Sequence, residues 1–180
     1  MVQMKVIFLD RDGTINKLFW KKYIDDPKNV ELLPFVKEVL TKLRKKYKLV
    51  LVTNQTWIWA GYYTYDDFLA VTAEIQKQLW FKFDAIYACC HHPNEACTCR
   101  KPNIGMFLQA QKDLGPIDWK KSWMIGDSCK DMQAGKKMWL NTILIWNDCK
   151  SDYQVNWWNK ILKIIEKNGE DSWSKNRRNK

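Results

Sequence analysis

Short, unbroken apolar runs recur along this chain, each followed by a polar loop and then by apolar residues at helical spacing, and this alternation constrains the fold more than any single motif. Val6-Ile7-Phe8-Leu9, Leu49-Val50-Leu51-Val52, Ala85-Ile86-Tyr87-Ala88, Trp123-Met124-Ile125 and Thr142-Ile143-Leu144-Ile145 have the length and continuous hydrophobicity of strands covered on both faces. Between them, Val36, Val39, Leu40 and Leu43 share one helical face, as do Phe68, Val71, Ile75 and Leu79, and then Phe107, Ala110 and Leu114. A short helix is expected around 131–138 and a last one over 155–165. Strands separated by helices imply βαβ units with right-handed crossovers, hence an α/β fold in three layers around a mostly parallel sheet. One domain over 1–167 accounts for the pattern, and 168–180 is expected to be a basic, disordered tail.

That topology gathers polar residues from distant parts of the sequence. Ligands of parallel sheets bind beyond the carboxyl ends of the strands, so Asp10, Thr53, the loop after Ala88 and Gly126-Asp127 are expected to meet at one edge. Asp10-Arg11-Asp12 alone could be an ordinary polar turn. If strand geometry persisted, however, its two carboxylates would share a face, and Asp127 would supply a third oxygen ligand for a magnesium ion.

The loop after the third strand reads Cys89-Cys90-His91-His92-Pro93-Asn94-Glu95-Ala96-Cys97-Thr98-Cys99-Arg100-Lys101-Pro102. Cys89, His91, Cys97 and Cys99 make the Cys3His set of a closed tetrahedral zinc site, which points to structure rather than catalysis. Cys90 and His92 are the alternative ligands if the register is shifted. A metal would give a glycine-poor loop the rigidity to hold Arg100 and Lys101 toward the strand ends.

With these residues in view, Phe8-Leu9-Asp10-Arg11-Asp12-Gly13-Thr14 resembles the first motif of the haloacid dehalogenase superfamily of phosphatases. Thr53 fits the second motif, Lys101 the third, and Gly126-Asp127 with Asp131 the fourth. Within the superfamily the chain is most similar to the heptose-bisphosphate and histidinol-phosphate phosphatases, over about residues 5 to 145. The resemblance implies a Rossmann-like domain with a minimal cap and a zinc-bound loop. It implies Asp10 as nucleophile and Asp12 as acid and base. Thr53 and Lys101 would stabilise the phosphoryl oxygens, and magnesium would sit on Asp10, Asp127 and the carbonyl of Asp12. Arg11, Asn54 and Arg100 are then expected at the substrate, Arg100 on a second phosphate through its planar fork.

The implied activity is hydrolysis of a small phosphorylated metabolite, a heptose 1,7-bisphosphate first. The alternatives are histidinol phosphate, a nucleic-acid 3′-phosphate, or a weakly active anion-binding homologue. Thirty Lys and Arg against twenty Asp and Glu leave a formal charge of +10, which favours anionic partners. The basic residues are scattered, so nucleic acid is not the expected partner. No stretch approaches the ~20 apolar residues of a membrane span. A cytoplasmic monomer is expected, with six cysteines that serve a metal rather than a disulfide framework.

Two departures from the resembled pattern concern the substrate: Ala60 and Ser128 stand where basic residues are frequent. A third is compositional. Eleven tryptophans outnumber seven glycines, whereas average usage would give about thirteen glycines in a chain of this length. Trp57, Trp80, Trp139 and Trp146 fall where the family has glycine, and Trp20 and Trp59 are further candidates; Trp123 suits the family. Reassignment of a stop codon to glycine in the native cell would account for the pattern, and so would a divergent, Trp-rich homologue.

Overall fold

The computed structural model describes residues 3–18 and 24–177, with side chains to 168. Its centre is a six-stranded sheet in the order β3-β2-β1-β4-β5-β6, every neighbouring pair parallel. The strands are β1 (Val6–Leu9), β2 (Lys48–Asn54), β3 (Ala85–Cys89), β4 (Trp123–Gly126), β5 (Asn141–Ile145) and β6 (Tyr153–Val155). The helices are α1 (Val36–Leu43), α2 (Thr56–Trp59), α3 (Tyr65–Leu79), α4 (Gly105–Leu114), α5 (Cys129–Lys137) and α6 (Trp158–Arg177). The order reverses at β1, which lies between β2 and β4, so the carboxyl ends of these three strands flank the switch point where a crevice opens.

Side-chain alternation along the strands builds two cores. Ile7 and Leu9 of β1 face one way and pack with Leu49, Leu51, Val39, Leu40, Val71, Ile75, Trp158 and Ile161, beneath α1, α3 and α6. Val6 and Phe8 face the other way, among Val50, Val52, Met106, Phe107, Met124 and Met132, beneath α4 and α5. All four β1 residues are fully buried, as a strand covered by helices on both faces requires. Fully burying side chains of this size is worth about 1.5–3 kcal/mol each, so burial fixes the register of the strand that carries Asp10.

Local signals set the helix starts. Thr64 and Asp67 form a reciprocal capping box at α3, and Ser128 and Asp131 form another at α5. Trp158, 1% exposed, donates from Nε1 to the Thr14 carbonyl at 2.7 Å and ties α6 to the turn after β1. From β1 to α1, the described residues carry a 3-10 turn, Pro27–Asn29, and two isolated β-bridges, Asp12 with Asn16 and Asn16 with Leu32, consistent with a minimal cap.

Several expectations are revised. Val155, placed in the last helix by its spacing, ends the edge strand β6, and α6 begins at Trp158. α6 continues through Arg177, across the boundary placed at 167; residues 178–180 lie outside the described residues, as does Trp20. Cys129 and Cys149 are joined in a disulfide, with Cα atoms 5.5 Å apart, where no disulfide was expected. The first residue of α5 and the loop after β5 lie side by side, which spacing in the sequence does not reveal. Trp80, Trp139 and Trp146 adopt left-handed backbone, with φ of 66°, 59° and 66°. Trp57 lies in α2 without a positive φ. No helix among the described residues is long and apolar enough to cross a membrane.

Candidate active site

A cavity of about 260 Å³ opens at the carboxyl ends of β1, β2 and β4, lined by Asp10, Asp12, Thr53, Asn54, Arg100, Lys101, Asp127, Ser128, Lys130 and Asp131, with Leu18 at its side. Asp10 follows β1 directly, and its amide donates to the Ile125 carbonyl at 3.0 Å, which continues the sheet by one bond and fixes the carboxylate above β4. Gly13 follows at φ +81°, where a Cβ would lie 2.2 Å from Oδ2 of Asp127; only glycine lets this turn approach so closely. At Gly126 a Cβ would meet the carboxyl of Asp131 at 2.5 Å.

Lys101 is the electrostatic centre. Only 2% exposed, it donates from Nζ to Oδ1 of Asp10 at 2.7 Å and to the Val52 carbonyl at 2.6 Å, and pairs with Oδ1 of Asp131 at 2.5 Å. Asn54 holds its backbone at two points, accepting from the Lys101 amide and donating to the Lys101 carbonyl, each at 3.0 Å. The neighbouring carboxylates hold the Lys101 ammonium above its usual range despite the opposing cost of burial. Burial, reinforced by Asp131 and Asp12, raises Asp10 to about 7, against the pull of Lys101. Burial, together with Asp10 and Asp131, raises Asp127 to about 8.

Oxygens of Asp10, Asp127 and Asp131 all lie within 4.8 Å of one another. One lysine serves three carboxylates, and burial together with the neighbouring negative charge raises Asp10 and Asp127. A hard divalent cation with oxygen ligands relieves that charge, so the donor set fits magnesium.

Asp12 is turned elsewhere. The chain leaves strand geometry after Leu9, so the two carboxylates do not share a ligand cluster as strand alternation would have it. The Asp12 carboxylate accepts from Arg11 Nε at 3.0 Å, Asn16 Nδ2 at 3.1 Å and Gln55 Nε2 at 2.8 Å, while still lining the cavity. Arg11, expected at the substrate, is fully buried and does not line the cavity; its guanidinium sits over Phe68 and reaches Gln55 Oε1 at 3.3 Å. It positions Asp12. A charged residue is tolerated there because Asp12 pairs with it at 2.8 Å. Gln55 also donates to Thr53 Oγ1 at 2.8 Å and accepts from the Tyr63 hydroxyl. From the sequence no role is expected for Gln55 or Tyr63, and Asp131 matches the fourth motif without a stated role. Gln55 carried one signal, its place directly after Thr53-Asn54.

The cysteine loop closes as its spacing implies. Cys89 Sγ lies 3.8 Å from Cys97 Sγ and 3.5 Å from His91 Nδ1, and Cys99 Sγ lies 3.2 Å from the same nitrogen. A tetrahedral ion with Zn–S bonds of about 2.3 Å places its sulfurs about 3.8 Å apart. Burial and the neighbouring thiols push Cys99 up to about 12, a crowding that a cation would relieve. Cys90 and His92 stand outside this cluster.

A family model described as polynucleotide kinase 3 phosphatase matches residues 5–167. The chain belongs to this phosphatase family, within the haloacid dehalogenase superfamily. The D-glycero-beta-D-manno-heptose-1,7-bisphosphate 7-phosphatase of Helicobacter pylori strain 26695 is 42% identical over 156 residues, which cover 83% of this chain and 88% of that protein. Among solved structures, the D,D-heptose 1,7-bisphosphate phosphatase from B. bronchiseptica, complexed with magnesium and phosphate, has a TM-score of 0.79 at 23% identity, covering 93% of this chain and 99% of that one. A HAD-like phosphatase from Mesorhizobium loti also has a TM-score of 0.79, at 30% identity, covering 91% and 84%. This family member is a phosphoric monoester hydrolase.

Proposed function

We propose that this phosphatase removes the 7-phosphate of a D-glycero-D-manno-heptose 1,7-bisphosphate through an aspartyl-phosphate intermediate. The observation that carries the substrate is the 42% identity to the Helicobacter pylori phosphatase of that name. Asp10, held against β4 with Lys101 on one oxygen, attacks phosphorus through the other as the sugar oxygen leaves. Asp12 gives the leaving oxygen its proton. It then takes a proton from the water that cleaves the acyl phosphate, which frees inorganic phosphate and restores Asp10. Arg11, Asn16 and Gln55 hold the Asp12 carboxylate in place for both transfers. Lys101 and the Thr53 hydroxyl balance charge on the equatorial oxygens. Magnesium on Asp10, Asp127 and the Asp12 carbonyl would neutralise phosphoryl charge, with Asp131 close enough to support it. Asn54 fixes Lys101, and Arg100 serves the second phosphate. We assign a structural zinc to Cys89, His91, Cys97 and Cys99.

A second reading, a nucleic-acid 3′-phosphatase, draws on the description of the matching family and the +10 charge. Magnesium-dependent phosphate release from heptose 1,7-bisphosphate, histidinol phosphate and a 3′-phosphorylated oligonucleotide separates them. The expected result is a kcat/KM for the heptose ester at least about 100-fold above either of the others, about 2.7 kcal/mol of transition-state preference. Faster release from the oligonucleotide would replace the first reading with the second.

A further inference from the structure

We propose that Lys130 is a specificity residue which, together with Arg100, grips the phosphate of the substrate that is not transferred. The assignment rests on the bisphosphate reading above. Three cations line the catalytic cavity: Arg100, Lys101 and Lys130. Lys101 is buried and committed to Asp10, Asp131 and the Val52 carbonyl. Arg100 spends one long bond, 3.5 Å, on the His91 carbonyl. Lys130 is exposed and has no ion pair or hydrogen bond within the described residues.

Its position is locally unfavourable, because a cation in the first turn of α5 opposes the positive end of the helix dipole. Ser128, beside Asp127, is uncharged and its hydroxyl is taken up in the cap with Asp131, at 2.6 Å. Lys130 therefore supplies, one turn-step further along, the positive charge that position 128 does not. The cavity floor is carboxylate and its rim cationic. A bisphosphate with one group at Asp10 meets Arg100 and Lys130 with the other, through charge-assisted bonds.

The test is steady-state kinetics of the wild type, Lys130→Ala and Lys130→Arg on the heptose 1,7-bisphosphate and the heptose 7-phosphate. Lys130→Ala is expected to lower kcat/KM for the bisphosphate about tenfold more than for the monophosphate, mainly through KM, with Lys130→Arg recovering most of the difference. Equal losses on both esters, or no loss, overturn the assignment. Should the wild type cleave neither heptose ester, the substrate reading fails, and the same ratio is taken on whichever bisphosphate it does cleave. An enzyme that cleaves only singly phosphorylated esters overturns the role of Lys130 as well.

A different observation carries a second inference. We infer that positions 80, 139 and 146 are glycine sites, occupied by tryptophan through translation of a codon the source cell reads as glycine. Six of the eleven tryptophans form two contrasting groups. Trp123 and Trp158 are 2% and 1% exposed, and Trp119 stacks on Phe8. Trp80, Trp139 and Trp146 are 83%, 76% and 50% exposed, and all three have left-handed backbone at the end of an element. Trp80 is the C-cap of α3, Trp139 follows α5 by two residues, and Trp146 follows β5. Such positions favour glycine, and a bulky side chain rarely occupies them. Phe35 shares the conformation, so φ alone does not define the group; residue type, exposure and φ together do.

The gene is expected to carry one codon at positions 80, 139 and 146 and a different one at 119, 123 and 158. Peptide masses of the protein from its source cells should then show glycine at the first three. Trp80→Gly/Trp139→Gly/Trp146→Gly is expected to raise the thermal midpoint by about 5 °C. One codon shared by both groups, tryptophan in the native peptides, or a lower midpoint overturns the inference.

Discussion

Asp10→Asn is expected to lower magnesium-dependent phosphate release by a factor on the order of 10⁴, while leaving the protein folded. An amide oxygen of the same shape does not attack phosphorus, and losing a nucleophile commonly costs that much because the remaining groups cannot act in its place. The fold should survive, since Lys101 keeps Asp131 at 2.5 Å and the Val52 carbonyl at 2.6 Å. The substitution also removes a negative charge from a buried cluster in which Asp10 and Asp127 already stand at about 7 and about 8. The thermal midpoint of the metal-free variant should therefore equal or exceed that of the wild type. Single-turnover phosphate release and thermal unfolding on the same preparation check both parts. Activity within tenfold of the wild type would remove Asp10 as nucleophile, and a collapse of the midpoint would show that its carboxylate is structural.

Much of this site was legible because the sheet is continuous and parallel. Val6-Ile7-Phe8-Leu9 is buried on both faces, so it reads as a strand from hydrophobicity alone, and Asp10 falls at its end by counting. The cysteine cluster was legible for a different reason: its four residues, Cys89, His91, Cys97 and Cys99, are close in the sequence, so their spacing survives folding. Illegible features depend on contacts between distant segments or run against residue type. β6 has three residues with an exposed glutamine at its centre, too short to show a period, and Val155 therefore joined the wrong element. Arg11 looks like a surface residue by type, yet it is buried because Asp12, Gln55 and Phe68 close around it. Asp131 matches the fourth motif by its place after Asp127; that it caps α5 and pairs with Lys101 shows only in the folded chain. The disulfide between Cys129 and Cys149 likewise depends on the neighbouring position of β4 and β5.

Lys101→Met is expected to destabilise the protein by about 3–5 kcal/mol, the usual cost of removing one partner of a buried ion pair. For a chain of this size that lowers the thermal midpoint by roughly 10 °C. Methionine fills a similar volume, so little of the loss comes from packing. The cost arises from Asp10 and Asp131, left facing each other without their cation, and from a Val52 carbonyl deprived of its donor. Phosphate release should fall by about 10²–10³-fold, the effect of removing one preorganised charge from a phosphoryl site. The two contributions separate in a double-mutant cycle. In an Asp10→Asn background one of the opposed carboxylates is already neutral, so Lys101→Met should cost at least about 1 kcal/mol less than in the wild type. Strict additivity would mean that Lys101 is held by the Val52 carbonyl and Asp131 alone. Its contact with Asp10 would then be available for exchange with a phosphoryl oxygen at little cost to the fold.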